Sequence, residues 1–304
     1  MEFGKVAPTQ LANSDFSLPP DPALTTATLS LAKPVQQLKV HVGCTSWGRK
    51  EWKGNLFPAK TKDVDFLQEY VKHFNCVELN ATFYRIFEPD TIAKWREKTE
   101  ANSNFKFCPK FNQTISHLQR LRGVDELTTA FYKSMLAFED KLGPMFLQLN
   151  DNFSPNSFNE LKKYLQSLPH DLPVFTELRH RNWFMQPKVE EAVFEMMHNM
   201  NIGAVITDTA GRRDVVHMTL TVPHAFIRFV GNGLHPTDYL RIDAWVERLK
   251  QWTKQGLQSV YFMMHQPEEV NAPVLCDYFI ERLNQKLNLK LQRPRLLPTN
   301  GTLF

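Results

Sequence analysis

Seven charged or amide residues follow short apolar segments of this 304-residue chain, and together they suit proton transfer on an anionic substrate. Arginine presents a fixed fork of donors that fits carboxylate and phosphate groups. A lysine taken out of water can act as a base or a nucleophile, and nearby carboxylates can move the proton. The set comprises Glu78, Lys110, Gln148, Glu177, Arg179, Asp208 and Arg228.

Imidazole, amide and aromatic side chains follow the same segments. His117 could act as an acid or base near neutral pH, with a surface role as the alternative. Tyr84 and Trp183 could stack on a base or a sugar, with packing as the alternative. Asn80 lies two residues after Glu78, so the two share one face of a strand. We therefore add Asn80, Tyr84 and Trp183 to the candidate substrate-binding residues.

The apolar segments themselves predict strands that are buried on both faces, because a strand with one wet face alternates apolar and polar residues. Segments of helical periodicity separate them, which predicts a parallel sheet. Eight such units in this length predict an α/β fold with a single (β/α)₈ TIM-barrel-like domain. A doubly wound sheet is the alternative, but no Gly-x-Gly-x-x-Gly follows the first segment. The predicted strands span residues 38–43, 76–80, 105–110, 145–149, 174–178, 203–208, 225–230 and 259–264.

In such a barrel the carboxyl ends of the strands meet at one opening, where active sites lie. Strand side chains alternate in direction, so parity decides which of them face inward. Asp208 has the parity of Ala204 and Ile206, and Arg228 has that of Phe226. We predict that these faces point inward and that the seven residues line one cavity at the barrel mouth. The alternative is that opposite charges inside the barrel only satisfy one another.

Composition limits the class of protein. A net charge of +4 and a pI of about 8.8 are too weak to indicate nucleic-acid binding by themselves. The four cysteines lie far apart without a CxxC pair, as expected of free thiols in a reducing compartment. We find no secretory signal or membrane-spanning segment, which predicts a cytoplasmic protein without a membrane partner. Residues 1–37 are rich in Pro, Ser, Thr and Ala and predict an extended or disordered tail before a domain at 38–304.

Several motifs of the chain occur together in one known family. They include Gly43-Cys44-Thr45-Ser46-Trp47, Val77-Glu78-Leu79-Asn80-Ala81-Thr82-Phe83-Tyr84-Arg85, Leu142-Gly143-Pro144 with Gln148-Leu149, and Glu177-Leu178-Arg179-His180 with Trp183-Phe184. On these motifs, residues 38 to 290 resemble the DUF72 or YecE-like proteins, and the resemblance implies a TIM-barrel-like fold but no established reaction.

Two family patterns are altered in this chain. Val230 precedes Gly231 where family members usually carry His-Gly, and Met264-His265 stands where an aromatic residue followed by Asn is usual. If those positions bind a ligand, the ligand or the chemistry would differ here. Alternatively, His265 would take over the role of the missing His.

The sequence favours an enzyme, a hydrolase or lyase that acts on a phosphorylated or otherwise anionic substrate. Arg179 and Arg228 would clamp the anion. Lys110 would stabilise developing charge or act as a base or nucleophile. Either glutamate of the set would move the proton, and Asp208 would orient a partner.

Other functions remain open. A nucleic-acid-binding protein would grip backbone and bases with a basic, aromatic rim. A barrel without catalysis could bind a small ligand. A divalent cation could be held by the three carboxylates with His117 or His180, but the neighbouring cations and the lack of HxH or HxxE spacing favour a metal-free site. The cofactor and the oligomeric state are not determined by the sequence.

Overall fold

Strands and helices alternate along most of the chain in the computed structural model, which describes residues 4–12, 14–33 and 35–297. The strands are β1 (Lys39–Cys44), β2 (Cys76–Leu79), β3 (Lys106–Pro109), β4 (Met145–Gln148), β5 (Val174–Glu177), β6 (Gly203–Asp208), β7 (His224–Val230) and β8 (Ser259–His265). The helices are α1 (Pro8–Leu11), α2 (Ala23–Ser30), α3 (Phe66–Tyr70), α4 (Ala81–Tyr84), α5 (Pro89–Glu97), α6 (Asp125–Met135), α7 (Phe158–Ser167), α8 (Pro187–Asn199), α9 (Pro236–Gln255) and α10 (Ala272–Leu287).

Local sequence explains where the main helices begin and end. Proline occupies the first turn of α5, α8 and α9, where its missing N–H is not needed. The His235 side chain accepts a hydrogen bond from the Thr237 N–H and so caps α9. Gly256 ends the same helix with a φ of 125°, a conformation that favours glycine.

Every strand pair in the described residues is parallel. Six strands form one sheet in the order β1-β8-β7-β6-β5-β4, and β2 pairs with β3 in a second sheet. Two isolated bridges join the sheets between β3 and β4: Lys110 pairs with Phe146, and Phe107 pairs with Leu142. The prediction of an α/β fold with parallel strands is thereby confirmed.

Side chains, rather than a backbone ladder, connect β1 to β2 in the described part of the chain. The Tyr70 hydroxyl accepts a hydrogen bond from the Cys44 N–H (2.8 Å) and donates one to the Cys76 carbonyl (2.9 Å). The side-chain amide of Asn75 bonds an N–H and a carbonyl of β1 at 2.8 Å each. A Cβ at Gly43 would lie 1.9 Å from the Cys76 carbonyl oxygen, so glycine permits the close approach. We call these contacts the β1–β2 seam.

Alternate residues of the strands enter two separate apolar clusters. On β8, Phe262 and Met264 belong to the larger cluster, which also contains helix residues, whereas Met263 belongs to the smaller one. We call the smaller one the inner cluster, and each strand from β2 to β8 contributes one residue to it. Its members are Cys76, Cys108, Phe146, Phe175, Val205, Val222, Phe226 and Met263.

The described residues before β1 pack on the rest of the protein, where composition predicted an extended or disordered tail. Helix α2 lies against α9, and Leu29 is fully buried. The Thr25 hydroxyl donates to the Met218 carbonyl (2.7 Å) and accepts from the Leu220 N–H (2.8 Å). Burial of these few side chains orders a segment whose composition is otherwise typical of loops.

Candidate functional site

The buried guanidinium of Arg228, on β7, lies between two carboxylates. Its Nε and Nη2 donate to Glu78 Oε2 and Oε1 at 2.9 and 2.8 Å, and Nη1 donates to Glu177 Oε2 at 2.7 Å. The Gln148 carbonyl oxygen accepts from the same Nη1 at 3.2 Å. Side chains from β2, β4, β5 and β7 therefore meet around one cation, as the strand-end argument predicted.

Six polar residues lie one layer above the inner cluster, toward the carboxyl ends of the strands. Each follows an inner-cluster residue by two positions along the chain, so the polar residue and the inner-cluster residue point to the same face. We call this set the polar layer. It consists of Glu78, Lys110, Gln148, Glu177, Arg228 and His265.

Both glutamates of the polar layer are ionised. Burial would raise the pKa of Glu78, but Arg228 and His265 hold it well below its usual value. Burial opposes ionisation of Glu177 as well, yet Arg179 and Arg228 lower its pKa to about 2. The two carboxylates in turn raise the pKa of Arg228, against the effect of burial. These three groups form an ionic network of two carboxylates around one guanidinium, which holds its charges at neutral pH.

Lys110 is the cation of the polar layer that lacks an acceptor. Its side chain is 8% exposed, and its Nζ lies 4.0 Å from the centroid of the Phe83 ring. Among the residues that the structure describes, Nζ has neither a hydrogen bond nor an ion pair. Burial, assisted by the charge of Arg228, lowers the pKa of Lys110 to about 7. A large fraction of this amine is therefore neutral at physiological pH.

His117 lies against the same aromatic ring. The imidazole meets Phe83 edge-on with 4.9 Å between ring centroids, and its Nδ1 lies 2.8 Å from the Ser116 hydroxyl oxygen. Burial, together with the charges of Lys110 and Arg179, lowers the pKa of His117 to about 4. His117 is therefore neutral at pH 7, and it lies against the same ring as Lys110.

Arg179 and Asn80 extend the polar layer toward the surface. Arg179 Nε donates to Glu177 Oε1 at 2.7 Å, and its Nη1 lies 3.7 Å from the largely exposed carboxylate of Asp151. Asn80 Nδ2 donates to Glu78 Oε1 at 2.9 Å. Both residues bond a buried glutamate of the polar layer, and the substrate-binding role predicted for them remains a prediction.

The inward orientation predicted for Asp208 is wrong. Its carboxylate accepts from the Trp245 indole (2.7 Å) and from Arg241 Nη2 (2.8 Å), both on α9, and it also pairs with Arg213. On β6 the inner-cluster residue is Val205, so Asp208 points to the opposite face. The buried carboxylate anchors β6 to α9 instead of joining the polar layer.

Two residues that were predicted to bind substrate lie outside the polar layer. Trp183 is fully buried, and its indole N–H donates to the Phe153 carbonyl at 2.7 Å, so it packs the loop after β5. Tyr84 is 71% exposed on α4, with its ring edge-on to Phe83 at 5.1 Å. The clamp predicted for Arg228 is also wrong in geometry, because its three nitrogens already donate to carboxylates of the protein.

The site includes residues that were not among the candidates. His265 Nε2 lies 3.0 Å from Glu78 Oε2, and Phe83 contacts both Lys110 and His117. The altered strand-8 motif pointed to His265, since its parity matches that of Met263. Phe83 lies within a family motif, but its contact with Lys110 depends on the turn formed by α4.

A metal-binding cluster is absent from the part of the chain that the structure describes. No three His, Cys, Asp or Glu side chains there are grouped so that they could hold a metal ion. No helix in that part of the chain combines the length and apolarity needed to cross a membrane.

The chain is similar in sequence to known proteins along most of its length. A family model described as "Protein of unknown function DUF72" matches residues 41–299. The UPF0759 protein YecE of Escherichia coli K12 is 30% identical over 283 residues, which cover 87% of this chain and 100% of that protein. The UPF0759 protein YunF of Bacillus subtilis 168 is 30% identical over 163 residues, which cover 51% of this chain and 55% of that protein.

Solved structures share the fold. A DUF72 family protein from Enterococcus faecalis V583 superposes with a TM-score of 0.65 at 21% identity, covering 84% of this chain and 100% of that one. A DUF72 family protein from Thermotoga maritima MSB8 gives a TM-score of 0.62 at 19% identity, covering 83% and 100%. At such identities the likeness concerns the fold alone.

Proposed function

The chain belongs to the DUF72 family, whose function is unknown, and we propose that it is an enzyme, a hydrolase or lyase, that acts on a small phosphorylated or otherwise anionic substrate. One observation carries this proposal: the largely buried side chain of Lys110 ends in an amine without a hydrogen-bond or ion-pair partner among the described residues. Burying a charged group without a partner costs free energy, and such groups cluster at functional sites.

The proposal includes closure of the eight strands into a TIM barrel. The inner cluster draws on seven strands, and Arg228 of β7 reaches Glu78 of β2. The two breaks in the backbone ladder are spanned by the isolated bridges between β3 and β4 and by the β1–β2 seam. In a barrel the polar layer lies at the end where active sites are found.

The charges of the site favour an anion. The carboxylates of Glu78 and Glu177 are bonded by Arg228 and Arg179, and Arg179 also pairs with Asp151, whereas no carboxylate pairs with Lys110 among the described residues. An anion bound beside Lys110 would supply that partner and would raise the pKa of Lys110 from about 7. Arg179, at the outer edge of the polar layer, lies where it would meet the same anion.

Each group then has a distinct role. Neutral Lys110 is the base or nucleophile, and the neutral imidazole of His117 relays protons beside it. Glu78 and Glu177 hold Arg228 and orient the layer, since their low pKa values make them weak proton carriers at pH 7. Gln148 and Asn80 fix this network from either side.

Activity on a panel of phosphate esters and carboxylates tests the proposal. We expect Lys110→Met and Lys110→Arg each to lose activity by about 10² or more, the usual contribution of a positioned acid or base. Lys106→Met is the matched control, because Lys106 lies at the opposite end of the same strand. Equal activity in the wild type and Lys110→Met would exclude Lys110 from the mechanism. If no compound is turned over but anions raise the pKa of Lys110, a non-catalytic ligand-binding barrel is favoured instead.

A nucleic-acid-binding protein is the second candidate, favoured by the exposed ring of Tyr84 next to exposed Arg85. Arg122 and Arg181 are also exposed, in the loops after β3 and β5. Stacking and phosphate contacts of this kind bind single strands in a salt-sensitive way. Binding of single-stranded DNA, measured by fluorescence anisotropy, would then weaken from low to moderate salt and in Tyr84→Ala. Binding that is absent, or that ignores salt, excludes this candidate.

A further inference from the structure

All four carboxylate oxygens of Glu78 and Glu177 are already engaged, at distances between 2.7 and 3.0 Å. Their partners are Arg228, Asn80, Arg179 and His265. None of these bonds comes from the ammonium of Lys110. A lysine that served only as a fixed cation would be expected to keep such a partner.

The environment of Lys110 suits a nucleophile better than a simple base. The neutral imidazole of His117, which lies against the same Phe83 ring, already offers a nitrogen that can relay protons beside Lys110. What an amine adds to imidazole is the ability to form a carbon–nitrogen double bond. The resulting iminium is a cation, and the face of Phe83 at 4.0 Å is placed to stabilise it.

From these contacts we propose that Lys110 forms a Schiff base with a small keto acid or phosphorylated ketone, which makes the reaction a lyase. The inference rests on the proposed function, because it uses the same site and the same anion. Arg179 would hold the carboxylate or phosphate of the substrate while its carbonyl carbon meets Lys110 Nζ.

The covalent step balances without a cofactor. The neutral amine attacks the carbonyl carbon, a carbon–nitrogen bond forms, and a proton moves from nitrogen to oxygen to give a carbinolamine. A second proton, the one that Lys110 gave up on becoming neutral, is returned to this oxygen, the carbon–oxygen bond breaks and water leaves, so that ketone plus ammonium form gives iminium plus water. The iminium accepts the electron pair of a neighbouring carbon–carbon bond as that bond breaks, and the other fragment leaves as carbon dioxide if it carries a carboxylate, or as an aldehyde if it carries a hydroxyl group that gives its proton to a base. The enamine carbon then takes up a proton, and water adds to the iminium and releases the product ketone, which restores Lys110.

Reductive trapping tests the inference. The protein is incubated at pH 7 with sodium cyanoborohydride and, in separate reactions, pyruvate, acetoacetate and dihydroxyacetone phosphate, and the modified lysines are located by peptide mass spectrometry. We expect the adduct on Lys110 to exceed that on any exposed lysine by about tenfold or more, since a neutral amine is far more abundant there. Lys110→Arg should lose this adduct, and Lys106→Met should keep it.

The outcomes separate the two proposals. Absence of a Lys110 adduct with all three compounds overturns the Schiff base, as does labelling spread evenly over surface lysines. The pKa of Lys110 is measured in parallel by NMR of ¹³C-methylated lysines, with and without inorganic phosphate. A raised pKa without any adduct leaves the proposed anion site standing and removes only the covalent step. If phosphate leaves the pKa unchanged and no adduct forms, both proposals fail.

Discussion

Arg228 and Lys110 are cations of the same polar layer with opposite surroundings. The guanidinium is bonded on all sides, while the amine has an aromatic ring and no acceptor among the described residues. A buried cation with complete partners is part of the structure, whereas one without partners is available to a ligand. This contrast is the reason why we propose Lys110 as the reactive group of the layer.

Replacing Arg228 tests its structural role. Arg228→Met leaves Glu78 and Glu177 buried without a cation, so we expect the free energy of unfolding in urea at pH 7 to fall by about 3 to 5 kcal/mol. The control is the triple variant with Glu78→Gln and Glu177→Gln, which removes the stranded charges and should recover part of the loss. A single variant as stable as the wild type would contradict the network described here.

Stability should also depend on pH through the same glutamates. The pKa of Glu177 is about 2 in the folded protein, below its ordinary value of 4.5, and that of Glu78 is lowered too. Their contribution is therefore fully present above about pH 4.5 and is lost as the pH falls toward 2. Thermal unfolding between pH 7 and 3 measures this, and Arg228→Met should reduce the dependence. A wild-type midpoint that stays constant over this range would rule it out.

At the level of elements, short apolar segments located the strands closely because both-face burial is a local property of sequence. Burial on both faces also made the orientation of β6 unpredictable. Apolar residues lie on both of its faces, so the pattern does not show which face points to the inner cluster. Asp208 was therefore assigned inward, although its partners Arg241 and Trp245 lie far along the chain on α9. Helix α4 was also missed, because four residues are too few to show a helical period. The ion pairs between side chains of different strands, which leave Lys110 without a partner among the described residues, depend on distances in the folded protein. Spacing along the sequence does not give these distances.

The β1–β2 seam gives a test at this scale. Tyr70→Phe removes the hydroxyl that bonds both strands, so we expect a loss of about 1 to 3 kcal/mol of unfolding free energy. Tyr132→Phe is the matched control, because the buried hydroxyl of Tyr132 has no partner within the described residues. Amide hydrogen exchange at Cys44 should accelerate in the first variant alone. Equal stabilities of the two variants would show that the seam contributes nothing.

The molecule as a whole includes its N-terminal segment. Composition could not predict this, because the order of residues 14–33 rests on a few contacts with distant parts of the chain, such as Thr25 with Met218 and Leu220. Single buried side chains in a polar, proline-rich stretch carry no periodic signal.

Two leucines of this segment provide a matched pair. Leu29→Ala removes a fully buried side chain and should lower the free energy of unfolding by about 2 to 5 kcal/mol. Leu31, two residues later, is 79% exposed, and its replacement by alanine should change stability by no more than about 0.5 kcal/mol. Urea titration of both variants measures the two changes. If Leu29→Ala does not change the free energy of unfolding, the segment does not contribute to the stability of the domain.

The β1–β2 seam also bears on the folding pathway, because it is the one of the two breaks in the backbone ladder that no isolated bridge spans in the described residues. β1 instead bonds β8, the strand most distant from it along the chain. A circular permutant, with its original ends joined by a linker and new ends at exposed Ala59 and Lys60, would read β2 through β8 and then β1. Chain order would then match bonding order, and the lower contact order should speed refolding in stopped-flow experiments.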